Sequence, residues 1–102
     1  MPKPKTNQIE DERKIRYPKE GELLGMTEER LAGAKLRVSC TDGKIRLVRI
    51  PGKLRRRVWV RVGDIVLIKP WEDADEKADL IWRYYRGQAD VLKRKGYLKG
   101  IY

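Results

Sequence analysis

A strict alternation of apolar and polar side chains over residues 35–40 constrains the fold of this chain more than any other feature of its sequence. Leu36, Val38 and Cys40 occupy every second position, which is typical of a strand with one face in a core and the other in solvent. The next residues, 41–44, read Thr-Asp-Gly-Lys, and Asp-Gly favours the left-handed backbone angles of a tight turn. The pattern therefore predicts that the chain returns as the second strand of a β-hairpin.

Other segments with strand-like sequences bring the predicted number of strands to five. The additional strands cover residues 22–31, 45–62 with a break at Pro51-Gly52, 65–69 ended by Pro70, and 78–85. Gly25 in the first strand indicates a bulge or sharp bend, as a closing barrel requires. Gln88–Lys95 has helical spacing, and Gly96 stands where it can cap a helix. The predicted fold is an all-β, five-stranded barrel with a short C-terminal helix.

The alternation in the predicted second and third strands indicates which basic side chains face solvent. The first half of the third strand is predicted with Ile45 and Leu47 in the core, and its second half with Val58, Val60 and Val62 inside. Trp59 then lies outside between two arginines, where its ring could stack on an unpaired base; packing of the ring under a loop or under the chain's N-terminal arm is an equal alternative. The predicted outward basic residues of the hairpin strands are Lys35, Arg37, Lys44 and Arg46.

Positive charge is concentrated in one part of the chain. Between Lys35 and Arg61 there are ten Lys or Arg residues and a single acid, Asp42, so this segment carries +9 of the net charge of +10. The residues on either side are close to neutral, which argues against a general solubilising charge. A solvated strand face is the simpler interpretation of any basic run, but neighbouring strands that share one basic face favour a polyanionic partner. Basic residues around an aromatic ring favour nucleic acid.

Composition limits the chemistry available to the chain. There is no histidine and only one cysteine, so the usual general base and a thiolate zinc site are missing, and no disulfide can form within the chain. The acidic stretch 72–76 is predicted to be a hydrated surface loop. A nuclease that holds Mg²⁺ with Asp73, Asp75 and Asp79 is the enzymatic alternative and ranks last. We expect a protein that is not an enzyme and uses no cofactor or metal.

The chain divides into three predicted parts. Residues 1–19 hold two early prolines and a charge run, and they are predicted to form a flexible arm. The barrel is expected over residues 20–86, and the helix and tail over 87–102. No apolar run approaches the roughly 18 residues of a membrane helix, and the start lacks the apolar stretch of a signal peptide. We expect a monomer in the cytoplasm that does not bind membranes.

Three segments resemble the translation initiation factor 1A family. They are Gly52-Lys53-Leu54-Arg55-Arg56-Arg57-Val58-Trp59-Val60, Gly63-Asp64-Ile65-Val66-Leu67, and the stretch from Lys77-Ala78-Asp79-Leu80-Ile81 to Tyr84. The resemblance extends from about Gly21 to Gly96 and implies an oligonucleotide-binding (OB) barrel of the S1-like type. The chain stops at Gly100-Ile101-Tyr102 without the long acidic tail of eukaryotic members, so the resemblance is to the shorter archaeal form.

The resemblance also implies a function. Members of the family dock on the decoding site of the small ribosomal subunit through rRNA, and they help to place initiator tRNA and to select the start codon. The acidic tail engages an initiation GTPase of the factor 5B type, and without it such a contact would use the last helix or Tyr102. A structural ribosomal protein or a general single-stranded RNA chaperone is the alternative. The expected RNA-binding residues are Lys35, Arg37, Lys44, Arg46, Lys53, Arg55, Arg56, Arg57, Trp59 and Arg61.

Overall fold

Five strands close into a barrel in a computed structural model of the chain, which describes residues 15–101. A short helix separates the third and fourth strands, and a longer helix follows the fifth. The strands are β1 (Leu23–Leu31), β2 (Lys35–Cys40), β3 (Ile45–Arg49), β4 (Ile65–Trp71) and β5 (Ala74–Arg83), and the helices are α1 (Gly52–Arg55) and α2 (Arg86–Arg94).

The order of strands around the barrel is β1-β2-β3-β5-β4, and β4 pairs with β1 to close it. All neighbours are antiparallel except β3 and β5, which run parallel and pair Val48 with Ala78. Closure leaves no unpaired strand edge, so a barrel of this size is protected against edge-to-edge association. The predicted five-stranded OB-type barrel with its C-terminal helix is confirmed.

The irregularity predicted in β1 is real but lies elsewhere. The register with β2 shifts between Thr27 and Glu29, which places the bulge after Gly25 instead of at it. Gly25 meets a different requirement, since a Cβ atom there would lie 2.4 Å from Cγ1 of Val38. A glycine at this position lets β1 and β2 approach closely.

The predicted orientation of β3 is wrong. Arg46 pairs directly with Val38, and directly paired residues of an antiparallel ladder point to the same face. Val38 is fully buried, so Arg46 also points inward and is only 2% exposed, whereas Ile45 is 57% exposed. The alternation itself was predicted correctly, but its phase is inverted, and Arg46 and Val48 are the inward residues.

The second half of the predicted third strand is not a strand. Residues 52–55 form α1, and residues 56–64 have no strand pairing. The alternation nevertheless continues through part of this connection, because Val60 is buried while Trp59 and Arg61 are exposed. Val62, predicted inside, is 63% exposed. The alternating sequence pattern therefore predicted which of residues 59–61 are buried, but it did not predict the backbone conformation of the segment.

The hairpin between β4 and β5 is tighter than predicted. Only residues 72–73 form the turn, and β5 starts at Ala74, so most of the expected acidic loop belongs to a strand. Pro70 does not end β4, which continues to Trp71 with a register shift next to the proline. The four residues from Ile65 to Ile68 are all buried, as expected for a strand covered on both sides.

The core extends from the barrel interior to the contact with α2. Val91 and Leu92 of α2 pack with Leu67 of β4 and with Tyr84 after β5. Ile15 is buried in the same cluster, and the Tyr84 hydroxyl donates a hydrogen bond to the carbonyl oxygen of Arg16. The described end of the predicted flexible arm is therefore packed, while residues 1–14 and 102 lie outside the described part of the chain. No helix within residues 15–101 is long and apolar enough to cross a membrane.

Candidate nucleic-acid interface

The exposed basic residues of α1 and of the connection after it form the most prominent candidate site. Leu54 and Val58 pack against the barrel core, and the amide of Val58 donates to the carbonyl oxygen of Leu54 at 2.9 Å. These two contacts hold the turn in place, so the basic residues between and beside them project outward. We call the exposed set the α1 cluster; it comprises Lys53, Arg56, Arg57 and Arg61.

The α1 cluster carries uncompensated charge. Within residues 15–101, no carboxylate lies within 4.0 Å of the charged groups of its four members. Arg55 is also exposed, and its Nε donates to the carbonyl oxygen of Ile50 at 3.1 Å, so part of its hydrogen-bonding capacity supports the backbone. Unpaired guanidinium groups on a fixed turn are suited to contact phosphates, because their planar N–H donors match phosphate oxygens in pairs.

Trp59 lies within this surface and is 59% exposed. Its neighbour Val60 is buried in the core, which fixes the backbone on one side of the indole. The guanidinium carbon of Arg30 lies 4.6 Å from the centroid of the ring. Of the two alternatives for Trp59, the exposed one is therefore correct, and the ring is available for stacking.

The basic residues on the sheet surface are largely paired. Arg37 forms an ion pair with Glu29 of β1, and Lys44 contacts a carboxylate oxygen of Asp75 at 3.0 Å. Lys35 is exposed and lies opposite Arg49 in the ladder. These residues are on the surface as predicted, but neighbouring acids offset the positive charge of Arg37 and Lys44.

Arg46, predicted to bind RNA from the surface, is buried instead and forms an ionic cluster with two more exposed carboxylates. Its guanidinium donates to both carboxylate oxygens of Asp42, at 3.0 and 2.9 Å, and to the carboxylate of Asp75. Its Nε donates to the backbone carbonyl of Asp75 at 2.7 Å. The hydrogen bond from Arg46 lowers the pKa of Asp42, and hydrogen bonds from Lys44 and Arg46 lower the pKa of Asp75. Arg46 therefore fastens the β2–β3 turn to β5.

A groove of about 650 Å³ extends the α1 cluster toward α2. Two arginines from the nearly neutral C-terminal part of the sequence, Arg83 and Arg86, line it, and the charge distribution gave no signal for either. Arg83 also stacks on Tyr85, with 4.7 Å between the guanidinium carbon and the ring centroid. Tyr85, at the end of the predicted last strand, is 56% exposed. The groove is lined by Trp59, Arg61, Val62, Gly63, Asp64, Ile65, Arg83, Tyr84, Arg86, Ala89 and Asp90.

Two of the three carboxylates proposed for a magnesium nuclease form other contacts. Asp75 pairs with Lys44 and Arg46, and Asp79 accepts hydrogen bonds from Arg49 and from the indole N–H of Trp71. Among residues 15–101, no group of three or more His, Cys, Asp or Glu side chains is arranged to hold a metal ion.

Comparison with known proteins identifies the family of this chain. The family model described as translation initiation factor 1A / IF-1 matches residues 12–100. Translation initiation factor 1A of Methanopyrus kandleri is 58% identical over 92 residues, which cover 88% of this chain and 83% of the relative. That of Methanothermobacter thermautotrophicus is 51% identical over 94 residues, which cover 91% of this chain and 95% of the relative.

Solved structures show the same fold. The solution structure of translation initiation factor IF-1 from a Wolbachia endosymbiont of Brugia malayi superposes with a TM-score of 0.52 at 26% identity, covering 70% of this chain and 84% of that protein. YjeQ from Thermotoga maritima also has a TM-score of 0.52, at 21% identity, over 64% of this chain and 23% of that protein, and shares the fold alone. The relatives form a non-enzymatic family of initiation factors. The chain therefore belongs to the translation initiation factor 1A family.

Proposed function

We propose that this protein binds the small ribosomal subunit at its decoding, or aminoacyl, site through contacts with rRNA. There it blocks elongator tRNA and aids initiator tRNA placement and start-codon selection. The unpaired charge of the α1 cluster around exposed Trp59 supports this proposal most strongly. A surface of arginines and an aromatic ring suits a single-stranded or distorted part of an RNA, where phosphates and the face of a base are both accessible.

The proposed contact surface has a centre and a margin. Its centre is formed by Arg55, Trp59 and the α1 cluster, because these side chains are exposed and keep most of their donors free. Lys35, Arg37 and Lys44 form the margin, since two of them already have acidic partners. Arg46 does not contact RNA in this proposal, because its side chain is inside the barrel.

The barrel contributes to the proposed function by its volume as well as by its charge. Its strands are held in a closed ladder, so it presents a rigid body next to the bound rRNA. A rigid body at the aminoacyl site excludes elongator tRNA sterically without any chemical step. An initiation GTPase of the factor 5B type would then contact α2 or the residues after it. We propose that the protein acts in the cytoplasm as a monomer.

Chemical footprinting of small-subunit rRNA, with and without the protein, tests the proposal. We expect protection confined to the decoding region, and we expect bound protein to reduce elongator tRNA binding at the aminoacyl site. Binding should weaken steeply between low and moderate salt, because counterions are released when phosphates are neutralised. Protection scattered over many single-stranded regions would favour an RNA chaperone, and protein that survives high-salt washing of ribosomes would favour a structural component.

A further inference from the structure

Arg30 occupies an unusual position at the end of β1. It is paired with Leu36 of β2, and Leu36 is buried, so both side chains start on the inner face of the ladder. Arg30 is nevertheless exposed, and its guanidinium carbon lies 4.6 Å from the centroid of the Trp59 ring. The side chain thus connects the first strand to the α1 surface from outside the basic segment.

The Arg30–Trp59 contact, at 4.6 Å, and the Arg83–Tyr85 contact, at 4.7 Å, are closer than the other cation–ring contacts found among residues 15–101, which lie at 5.4 to 5.6 Å. Arg49 over Trp71, for comparison, also pairs with Asp79. Within the described residues no carboxylate lies within 4.0 Å of the Arg30 guanidinium, although Glu29 is adjacent in sequence, since Glu29 pairs with Arg37. Among residues 15–101, therefore, no acid offsets the positive charge of Arg30.

The ring contact leaves the donors of Arg30 available. Within residues 15–101 its guanidinium donates no hydrogen bond to another side chain or to the backbone, and the N–H groups of a guanidinium are all donors. The same contact limits the rotation of the indole, and a ring held in one orientation loses less conformational entropy when a base stacks on it. Trp59 remains 59% exposed beside Arg30, so part of the indole surface is accessible to a base.

We propose that Arg30 is a binding and positioning residue of the RNA-contacting surface. It holds Trp59 in the orientation that receives one unpaired base, and its free N–H groups contact a phosphate of the same strand. This inference rests on the proposed binding of rRNA and adds to it a residue outside the Lys35–Arg61 segment. The ligand recognised by the pair is a single unstacked nucleotide with its phosphate.

The test compares binding of purified small subunits by three variants of the full chain. Arg30→Met keeps an apolar cover on the ring but removes the charge, and we expect binding about five- to tenfold weaker, with the salt slope reduced by about one. Arg30→Lys keeps the charge without the flat stacking group, and we expect a loss of about two- to threefold. Lys69→Met is the matched control, because it removes one exposed cation of β4 that has no acidic partner within residues 15–101, and we expect a change of less than about twofold.

A second readout separates positioning from charge alone. The indole N–H resonance of Trp59 should shift in Arg30→Met and should keep its wild-type position in Lys69→Met. Trp59→Leu combined with Arg30→Met should weaken binding by less than the product of the two single effects, because Arg30 acts partly through the ring. Wild-type protein that fails to bind small subunits would overturn the proposed function. Wild-type binding with Arg30→Met equal to Lys69→Met, or with fully multiplicative effects in the double variant, would overturn the role of Arg30 alone.

Discussion

The two ends of β3 carry basic residues from the same segment of the sequence and use them in opposite ways. At the start of the strand, Lys44 and Arg46 are bound by Asp42 and Asp75. Beyond its other end, the α1 cluster has no acidic partner among residues 15–101. We call the first group the paired end and the second the unpaired end.

The difference shows what a count of charges leaves out. The paired end lies where two hairpin turns meet, and Arg46 stabilises that junction from inside the barrel. The unpaired end lies on an irregular connection without strand pairing over residues 56–64, so no neighbouring strand supplies acids to its cations. Cations of the first kind contribute to folding, and cations of the second kind are available for a ligand.

The largest expected effect comes from reversing charge at the unpaired end. The triple variant Lys53→Glu, Arg56→Glu and Arg57→Glu should bind small subunits more than about 100-fold more weakly, because three attractive phosphate contacts become repulsive. Its melting temperature should stay close to that of the wild type, since these side chains are exposed. Equilibrium binding and thermal unfolding measure the two quantities.

The matched control reverses the same number of charges elsewhere. Lys19→Glu, Lys69→Glu and Lys99→Glu alter three other exposed lysines and change the net charge equally. We expect this protein to bind within about tenfold of the wild type, through long-range electrostatics alone. Equal losses in the two triple variants would show that net charge, and not the unpaired end, determines binding.

The next largest effect is on stability at the paired end. Arg46→Met should reduce the free energy of unfolding by about 2–3 kcal/mol, less than for a fully buried pair because Asp42 and Asp75 can regain water. For a domain of this size, that corresponds to a fall in melting temperature of roughly 10–20 °C. Arg49→Met, which removes an exposed partner of Asp79, should cost less than about 1 kcal/mol. An Arg46→Met protein that is folded but loses subunit binding as severely as the charge-reversed variant would contradict the division between the two ends.

The smallest effect is a difference in acid stability. The pKa values of Asp42 and Asp75 are below their ordinary 3.8 in the folded state, so their contribution to stability is present above that pH and is lost as the pH falls through the folded values. Wild-type stability should therefore decrease on acidification below about pH 4, and Arg46→Met should show a shallower decrease. Denaturant unfolding at several pH values measures both slopes, and parallel curves would refute the assignment.

The barrel was predictable because its signals are local. The alternation around Val38 and the Asp42-Gly43 turn specify the hairpin, and Gly43 has a φ of +86°, as the turn requires. The residues of β3 that face the core could not be predicted from local signals. Residues 45–49 read Ile-Arg-Leu-Val-Arg, in which either set of alternate positions includes apolar side chains. The choice depends on Asp75, some 30 residues later, which makes a buried arginine stable.

Only part of the candidate site was predictable, because some of its residues come from parts of the chain that are distant in sequence. The basic and aromatic residues of α1 and its connection were identified from charge and resemblance, which do not depend on backbone structure. Arg30 and Arg83 were missed because they lie in the flanking segments 1–34 and 62–102, whose basic and acidic residues nearly balance. The closed barrel brings them beside Trp59 and the groove. Charge along the sequence identifies a segment, whereas a surface is assembled from several segments.

Directed cleavage of rRNA from each end of β3 tests the central claim most directly. Ile45→Cys and Val62→Cys place single reactive thiols near the paired and unpaired ends, at residues that are 57% and 63% exposed. Cys40 can remain, because it is fully buried and burial raises the pKa of its thiol, so it should not react. With a radical-generating reagent attached and binding verified, we predict strong cleavage of decoding-region rRNA from position 62 and weak cleavage from position 45. Stronger cleavage from position 45 would contradict the account.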